Sequence, residues 1–454
     1  MKGLIFTWML TFLGVSGSIF RPYYGFLAYV ALAILKPGFL WRYSVGEGRQ
    51  SLMVAGAMLA SWGLRGCGNW NLGKARGIVM AFICFWLWTM LLAIVADKPP
   101  YAWNYVESMS KILLPFIVGI TSCKDIKDLK SLAWVLVLAE GYVCWEMNLH
   151  YLGGYNFLRL VGFGGMDNNA AAIGIVTILG VAFFLFLNTE KLWQKAILAA
   201  CGAFMLHAIL ISFSRGAMLA TGIGVGISFL LIKKTPSHYT LFALGLVVAM
   251  YLTGPQVRAR FLRIFEKQKT GQHEASAQSR LDMWADCYDV FKQNPIFGVG
   301  PDHWPFHARK RGWTNVTEAH NLWVQTTVET GIPGITMYLT FFLLCIWRCW
   351  KLLRSLPPDA SPWYGDSCRM AIAALCGFGV AAQFVTIEAL EQPYYVVLLG
   401  AGTLLIHHRQ YENNDSKELD DQEGPSDPPD SDWRHQVVDQ HEGDIADWKP
   451  VVMN

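Results

Sequence analysis

Ala170–Leu187, Gly216–Ile232 and Gly334–Trp347 carry no charged residue. Nothing else in the chain constrains its fold as tightly. In hydrocarbon every backbone N–H and C=O must be satisfied inside the segment, so runs of this length cross a membrane as helices. Of the 454 residues, 53% are hydrophobic and 16% charged, against about 25% charged in soluble domains. The expected fold is therefore all-α, a polytopic membrane protein with about 12–13 transmembrane helices. Candidate spans fall at 3–20, 23–40, 51–64, 77–96, 112–122, 131–149, 168–187, 196–213, 216–232, 239–254, 321–347, 369–387 and 393–407. The apolar N-terminus reads as a retained first span, because Ile19 and Phe20 lead straight into Arg21-Pro22 and further apolar residues.

Charge orders the rest. Residues 409–454 hold thirteen Asp/Glu and four Lys/Arg, a net of −9, and the remainder is +12. This Pro-containing acidic stretch, from 408 to 454, reads as a disordered tail. Lysines and arginines gather in the short loops 65–76, 123–130, 188–195, 232–239 and 348–369. One alternating scheme places all of these, and the tail, on the cytoplasmic side. The loops 97–111, 150–167, 214–216 and 255–320 then face outward. The basic body suits an anionic ligand, and no nucleic-acid partner is expected. Ten cysteines are scattered with no disulfide framework. No metal, haem or nucleotide motif stands out.

The outer loop 255–320 carries ten Lys/Arg and seven Asp/Glu. Ser279-Arg-Leu-Asp282 has capping-box form, with Arg280 opening the helix. Leu281, Trp284, Tyr288 and Phe291 recur at helical spacing, a stripe expected to pack on the membrane body. Asn294-Pro295 should stop that helix, and Phe297-Gly-Val-Gly-Pro301 is a tight turn. His303 and His307 have metal-like spacing, but Pro305 between them argues against a zinc site.

The residues that could do chemistry gather on this outer side. Arg215, in Ser212-Phe-Ser-Arg-Gly, sits in a turn between two spans. An arginine there can serve lipid headgroups or a site. Arg258, Arg260 and Arg263 make a positive patch. His320 stands where the loop meets the next apolar run, beside Asn321 and with Glu329 farther along the helix. A histidine at that boundary can take up or orient a proton near neutral pH.

Three segments carry a resemblance to the bacterial O-antigen ligase superfamily: Ser214-Arg-Gly216, Arg280-x-x-x-Trp284 with Asn294-Pro-x-x-Gly-x-Gly300, and Ala319-His-Asn-x-x-x-Gln-x-x-x-Glu-x-Gly331. That group includes lipopolysaccharide O-antigen ligases, O-antigen polymerases and protein O-oligosaccharyltransferases. Order and spacing match from about 165 to 345. Arg21-Pro22, Lys36-Pro37 and Asp167-Asn-Asn169 resemble the subgroup of exosortase-associated O-glycosylation ligases. The resemblance divides the chain into N-terminal helices 1–164, a ligase-like domain 165–407 with one large helical periplasmic loop at 255–320, and the tail 408–454.

It also implies a function. The donor would be a polyprenyl-diphosphate-linked glycan, the acceptor a lipid or protein, and no nucleotide cofactor takes part. Transfer would occur on the periplasmic face of a bacterial inner membrane. The implied catalytic residues are His320, Arg215 and Arg280, with Arg258 and Arg260 as alternatives for the second arginine and as substrate-binding residues alongside Asn321 and Glu329. Two arginines can hold a diphosphate through bidentate bonds and stabilise the leaving group. Diphosphate leaves readily, so no metal is required in principle, and a single displacement inverts the anomeric carbon. A polymerase shares this donor chemistry and differs in acceptor. A transporter of lipid-linked sugars predicts charges near mid-membrane and internal symmetry; a non-catalytic scaffold gives no reason for arginines and a histidine on one face.

Overall fold

Helices dominate the computed structural model, which describes residues 1–46, 48–232, 275–314, 318–387 and 390–422, with isolated positions between 234 and 243. Among the described residues there is no strand, only an isolated bridge between Phe163 and Met166. The helices used below are α1 (Lys2–Phe20), α2 (Pro22–Leu35), α3 (Gln50–Leu64), α4 (Arg76–Val95), α5 (Pro99–Ser122), α6 (Ile126–Leu152) and α7 (Asn168–Asn188). They continue with α8 (Leu192–Ile211), α9 (Arg215–Leu231), α10 (Ala275–Gln293), α11 (Trp304–Lys310), α12 (Leu322–Ser355), α13 (Pro362–Ala381) and α14 (Glu391–Gln422).

Among the described residues, seven helices are long and apolar enough to cross a membrane, and Gln50–Leu64 and Arg215–Leu231 are apolar but shorter. α5, α13 and the first part of α14 pack among them, with much of their surface buried. The stretch expected to be a short span at 112–122 belongs to a helix starting at Pro99. The expected span 369–387 lies earlier, at 362–381, and 239–254 lies outside the described residues save positions 239, 240 and 243. The chain divides into Met1–Arg409 and Gln410–Asn454. The last helix runs to Gln422, beyond the expected tail boundary at 408, and residues 423–454 lie outside the described ones.

Aromatic packing fills the centre. Phe82 of α4 stacks on Tyr394 of α14 at 5.0 Å and meets Phe341 of α12 at 4.7 Å, while the Tyr338 and Tyr394 hydroxyls bond at 2.9 Å. Facing outward are large apolar side chains such as Phe12, Leu87, Leu91, Leu343 and Trp347, a surface that suits acyl chains.

One end of the bundle is tied by basic residues. Arg21, between α1 and α2, grips Asp128 with both nitrogens at 3.1 and 2.7 Å, and the Tyr23 hydroxyl donates to the Asp128 carbonyl at 2.8 Å. Arg65 donates to Ile19 O, Arg348 to Lys74 O, and Arg409 to Cys123 O and Asn71 O. The basic loops that share a side in the alternating scheme thus meet at one end. Arg215, Lys36 and His320 lie at helix ends of the other. The ten cysteines are all free.

Candidate functional site

α12 begins with Asn321 as its cap. The Asn321 side-chain oxygen accepts from Trp323 N–H at 3.0 Å and Val324 N–H at 3.2 Å, satisfying donors that a helix start leaves open. Its amide nitrogen donates to Gln383 Oε1 at 3.1 Å, and its backbone N–H to Thr386 Oγ1 at 3.2 Å. Asn321 is buried with these bonds in place. The side chain expected to touch substrate therefore holds the helix start against the α13–α14 loop.

His320 is half-buried and takes φ +50, a left-handed conformation that side-chain-bearing residues rarely hold without support. The support is visible on both flanks. Gln325 Oε1 accepts from Ala319 N–H at 3.0 Å, and the Trp284 indole of α10 donates to Ala319 O at 2.8 Å.

Glu329 continues the chain of contacts. It has no exposed surface and accepts from Trp304 N–H at 3.0 Å, Asp302 N–H at 3.1 Å and Gln325 Nε2 at 3.3 Å. A side chain so enclosed clamps the 298–304 turn; the substrate contact expected of it is not what this geometry supplies. Two residues on, Gly331 breaks the helix at φ 68, ψ −173. A Cβ at Gly331 would stand 2.0 Å from Ile296 O, so glycine is required there. Pro333 excludes the carbonyl four residues back from helical bonding. That carbonyl, Glu329 O, instead accepts from Gly300 N–H at 2.9 Å, and Val328 O accepts from Val299 N–H at 3.0 Å. The motif from Ala319 to Gly331 is thus mostly a device for docking the outer loop onto α12.

α10 is described from Ala275, four residues before the expected cap Ser279, so Arg280 lies within the helix rather than opening it. The buried face is Met283, Cys287 and Val290, packed with Trp304, Ala308 and Val328. Leu281 and Tyr288, expected to be buried, are exposed. The stripe is rotated: the helix packs on the membrane helix α12, through Val328, as expected, but with the face carrying Met283, Cys287 and Val290, and shares that face with Trp304 and Ala308 of the loop. The helix does stop at Gln293, before Asn294-Pro295. His303 is no metal ligand by its contacts: its Nδ1 faces Pro301 O at 2.7 Å and its Nε2 accepts from Lys98 N–H at 3.0 Å.

Arg280 lies one turn before Trp284, and its charge acts on His320. Burial, and then Arg280, push the imidazole below its ordinary value, while Asp167 pulls the other way. The ring is accordingly neutral at pH 7 and able to accept a proton. Burial, with Asp167 and Asp302 adding, raises the Glu318 carboxyl.

Arg215 opens α9 after Ser214, whose hydroxyl caps Ala217 N–H at 3.4 Å. The turn is fixed by Asn168 Nδ2 donating to Ser212 O at 2.7 Å and Asn156 Nδ2 to Ile211 O at 2.8 Å. Gly216 lies against Phe384: a Cβ there would come within 2.7 Å of its ring. The loop 382–386 therefore touches both the Arg215 turn and the His320 junction. Asp167, the α7 cap next to Asn168, belongs to the same neighbourhood. Arg258 and Arg260 lie outside the described residues.

Sequence reasoning missed Gln383, Phe384 and Thr386, which carry no charge and sit in no recognisable motif. It also missed Arg159, whose guanidinium covers the Phe213 ring at 4.5 Å beside the Arg215 turn. A separate cavity lined by Phe184, Leu353, Pro357, Asp366 and Arg369 lies at the opposite helix ends. Arg369 there is held by Asp366 at 2.7 Å and by Leu231 O.

Comparison with known proteins points the same way. Residues 200–339 match the family described as O-antigen ligase. An O-antigen ligase of Pseudomonas aeruginosa is 24% identical over 252 residues, covering 54% of this chain and 57% of that protein. The teichuronic acid biosynthesis protein TuaE of Bacillus subtilis is 19% identical over 248 residues, 52% of this chain and 51% of that protein. An uncharacterized protein of Haemophilus influenzae is 21% identical over 302 residues, 62% of this chain and 74% of its own. The chain thus spans about half the length of the first two relatives.

Proposed function

We propose that this multi-pass membrane protein transfers a glycan from a polyprenyl-diphosphate carrier to an acceptor hydroxyl, at the outer face of a bacterial cytoplasmic membrane. His320 takes the hydroxyl proton. The hydroxyl oxygen attacks the anomeric carbon, and the bond from that carbon to the diphosphate oxygen breaks on the opposite side, with inversion. Arg215 and Arg280 hold the diphosphate as its charge grows. The observation that carries this reading is the loop 382–386, which packs on Gly216 and bonds Asn321. It brings the arginine turn and the histidine junction onto one support. The similarity of residues 200–339 to the O-antigen ligase family supports it independently.

The test uses purified protein in detergent and a radiolabelled polyprenyl-diphosphate oligosaccharide, with lipid A-core, a candidate acceptor protein and no acceptor in parallel. Transfer of label to one acceptor, lost in His320→Ala and in Arg215→Lys, is the expected result. Lysine keeps the charge but not the planar fork. Longer glycans in the tube without acceptor would mark a polymerase instead. No transfer from folded, donor-binding protein would overturn the reading.

A further inference from the structure

A second polar group of side chains lies inside the bundle, away from His320. Gln392 Nε2 of α14 donates to Glu140 Oε2 of α6 at 3.1 Å. Gln392 is 6% exposed and Glu140 3%. Among the described residues, the other end of the amide, Gln392 Oε1, meets no hydrogen-bond partner, and neither does the buried Tyr395 hydroxyl one turn along the same helix. Lys36 holds a left-handed backbone at φ 44, and its ammonium reaches Gly164 O at 3.4 Å. Its charge acts on both Glu140 and Glu391. Space for the amide comes from α7: a Cβ at Gly174 would stand 2.8 Å from Gln392 Nε2.

Charged side chains inside a membrane bundle are costly and call for a function. Buried acceptors without donors call for a ligand or water that supplies them. The group is also joined to the His320 site by two short connections. Gly164 stands three residues before Asp167, at most about 11 Å of chain, and Asp167 acts on His320. Glu391 follows the loop whose Gln383 and Thr386 hold Asn321.

We propose that Lys36, Glu140, Glu391 and Gln392 form a sugar subsite that takes hydroxyl groups of the lipid-linked glycan. The inference rests on the glycan-transfer reading and names where that glycan is held. A hydroxyl both donates and accepts, so neighbouring hydroxyls of one ring can serve an amide oxygen, a carboxylate and an ammonium together. The diphosphate is repelled by two carboxylates, which leaves it to the arginines near His320. A metal cation would have to sit beside the Lys36 ammonium. A proton on Glu140 would leave Gln392 Oε1 and the Tyr395 hydroxyl unanswered.

Binding, not turnover, separates this from the transfer step. Protein in detergent is titrated with the polyprenyl-diphosphate oligosaccharide and, separately, with the same polyprenyl diphosphate bearing no sugar. Wild type and His320→Ala should bind both lipids. Gln392→Ala and the isosteric Glu140→Gln should bind the glycan-bearing lipid at least about tenfold more weakly while binding the sugar-free lipid within about twofold of wild type. Lys36→Gln, on the partly exposed rim, gives the same ratio should a buried variant fail to fold. Equal weakening toward both lipids, or none toward either, overturns the subsite. Wild-type protein that binds neither lipid would sink the glycan-transfer reading itself, a result distinct from the others.

Discussion

Glu329→Ala tests whether the carboxylate is a clamp. The side chain accepts from the backbone N–H groups of Asp302 and Trp304 and is fully buried. Alanine leaves both donors without an acceptor. Each such loss costs about 1–3 kcal/mol, so docking of the 298–304 turn weakens by about 2–6 kcal/mol. At roughly 1.4 kcal/mol per tenfold, local opening becomes between about 30-fold and about 10⁴-fold more frequent. The amides that report it are Val299 and Gly300, which donate to Val328 O and Glu329 O. Hydrogen exchange in detergent, followed by mass spectrometry over 298–304, should show loss of protection on this scale. Glu329→Gln should fall between, since one amide oxygen can replace one of two acceptors. Protection unchanged within about twofold in Glu329→Ala would refute the clamp. If transfer were nevertheless lost, the carboxylate would have to act on substrate.

Three further outcomes are expected. Arg280→Gln removes one of the two causes that depress the His320 imidazole, so the acid limb of kcat/KM against pH should move to higher pH; Asp167→Asn removes the opposing influence and should move it lower. Identical limbs in all three proteins would dismiss His320 as the titrating base. Gly331→Ala forces a side chain into φ +68 against Ile296 O, and should lower the thermal midpoint in detergent by the equivalent of about 1–3 kcal/mol or more. A chain ending at Tyr411 should keep wild-type transfer, and loss of transfer would show that the acidic residues beyond it take part.

The membrane architecture was legible because its cause is local. An uncharged apolar run has one solution in lipid, and the stops at Phe20, Leu35 and Gln293 follow from Arg21-Pro22, Pro37 and Asn294-Pro295. The rotation of α10 was not legible, because Leu281 and Met283 are equally apolar. Which of them is buried depends on where Trp304 and Val328 arrive from elsewhere in the chain. The start of α10 was misplaced for a related reason: Ser279-Arg-Leu-Asp282 fits a capping box, yet the helix already runs through it from Ala275. His320 and Arg215 could be singled out by their positions at span ends. Their shared support could not, since Phe384 and Thr386 have no chemical signature until folding sets them against Gly216 and Asn321.

The motif from 319 to 331 divides its labour in a way that bears on mechanism. Asn321 is committed to capping, Gln325 to the Ala319 N–H, Glu329 to the 298–304 turn, and Gly331 to the close approach of Ile296. Every polar group named is engaged in holding structure around His320, a non-glycine residue in a left-handed conformation. Strain maintained by this many neighbours implies that the direction of the imidazole matters. The arginines arrive from α9 and α10, two elements with their own anchors. In the proposed reaction, such an arrangement would let the outer loop and the membrane helices be positioned separately, with bond-making the proposed role of His320 and leaving-group stabilisation that of Arg215 and Arg280.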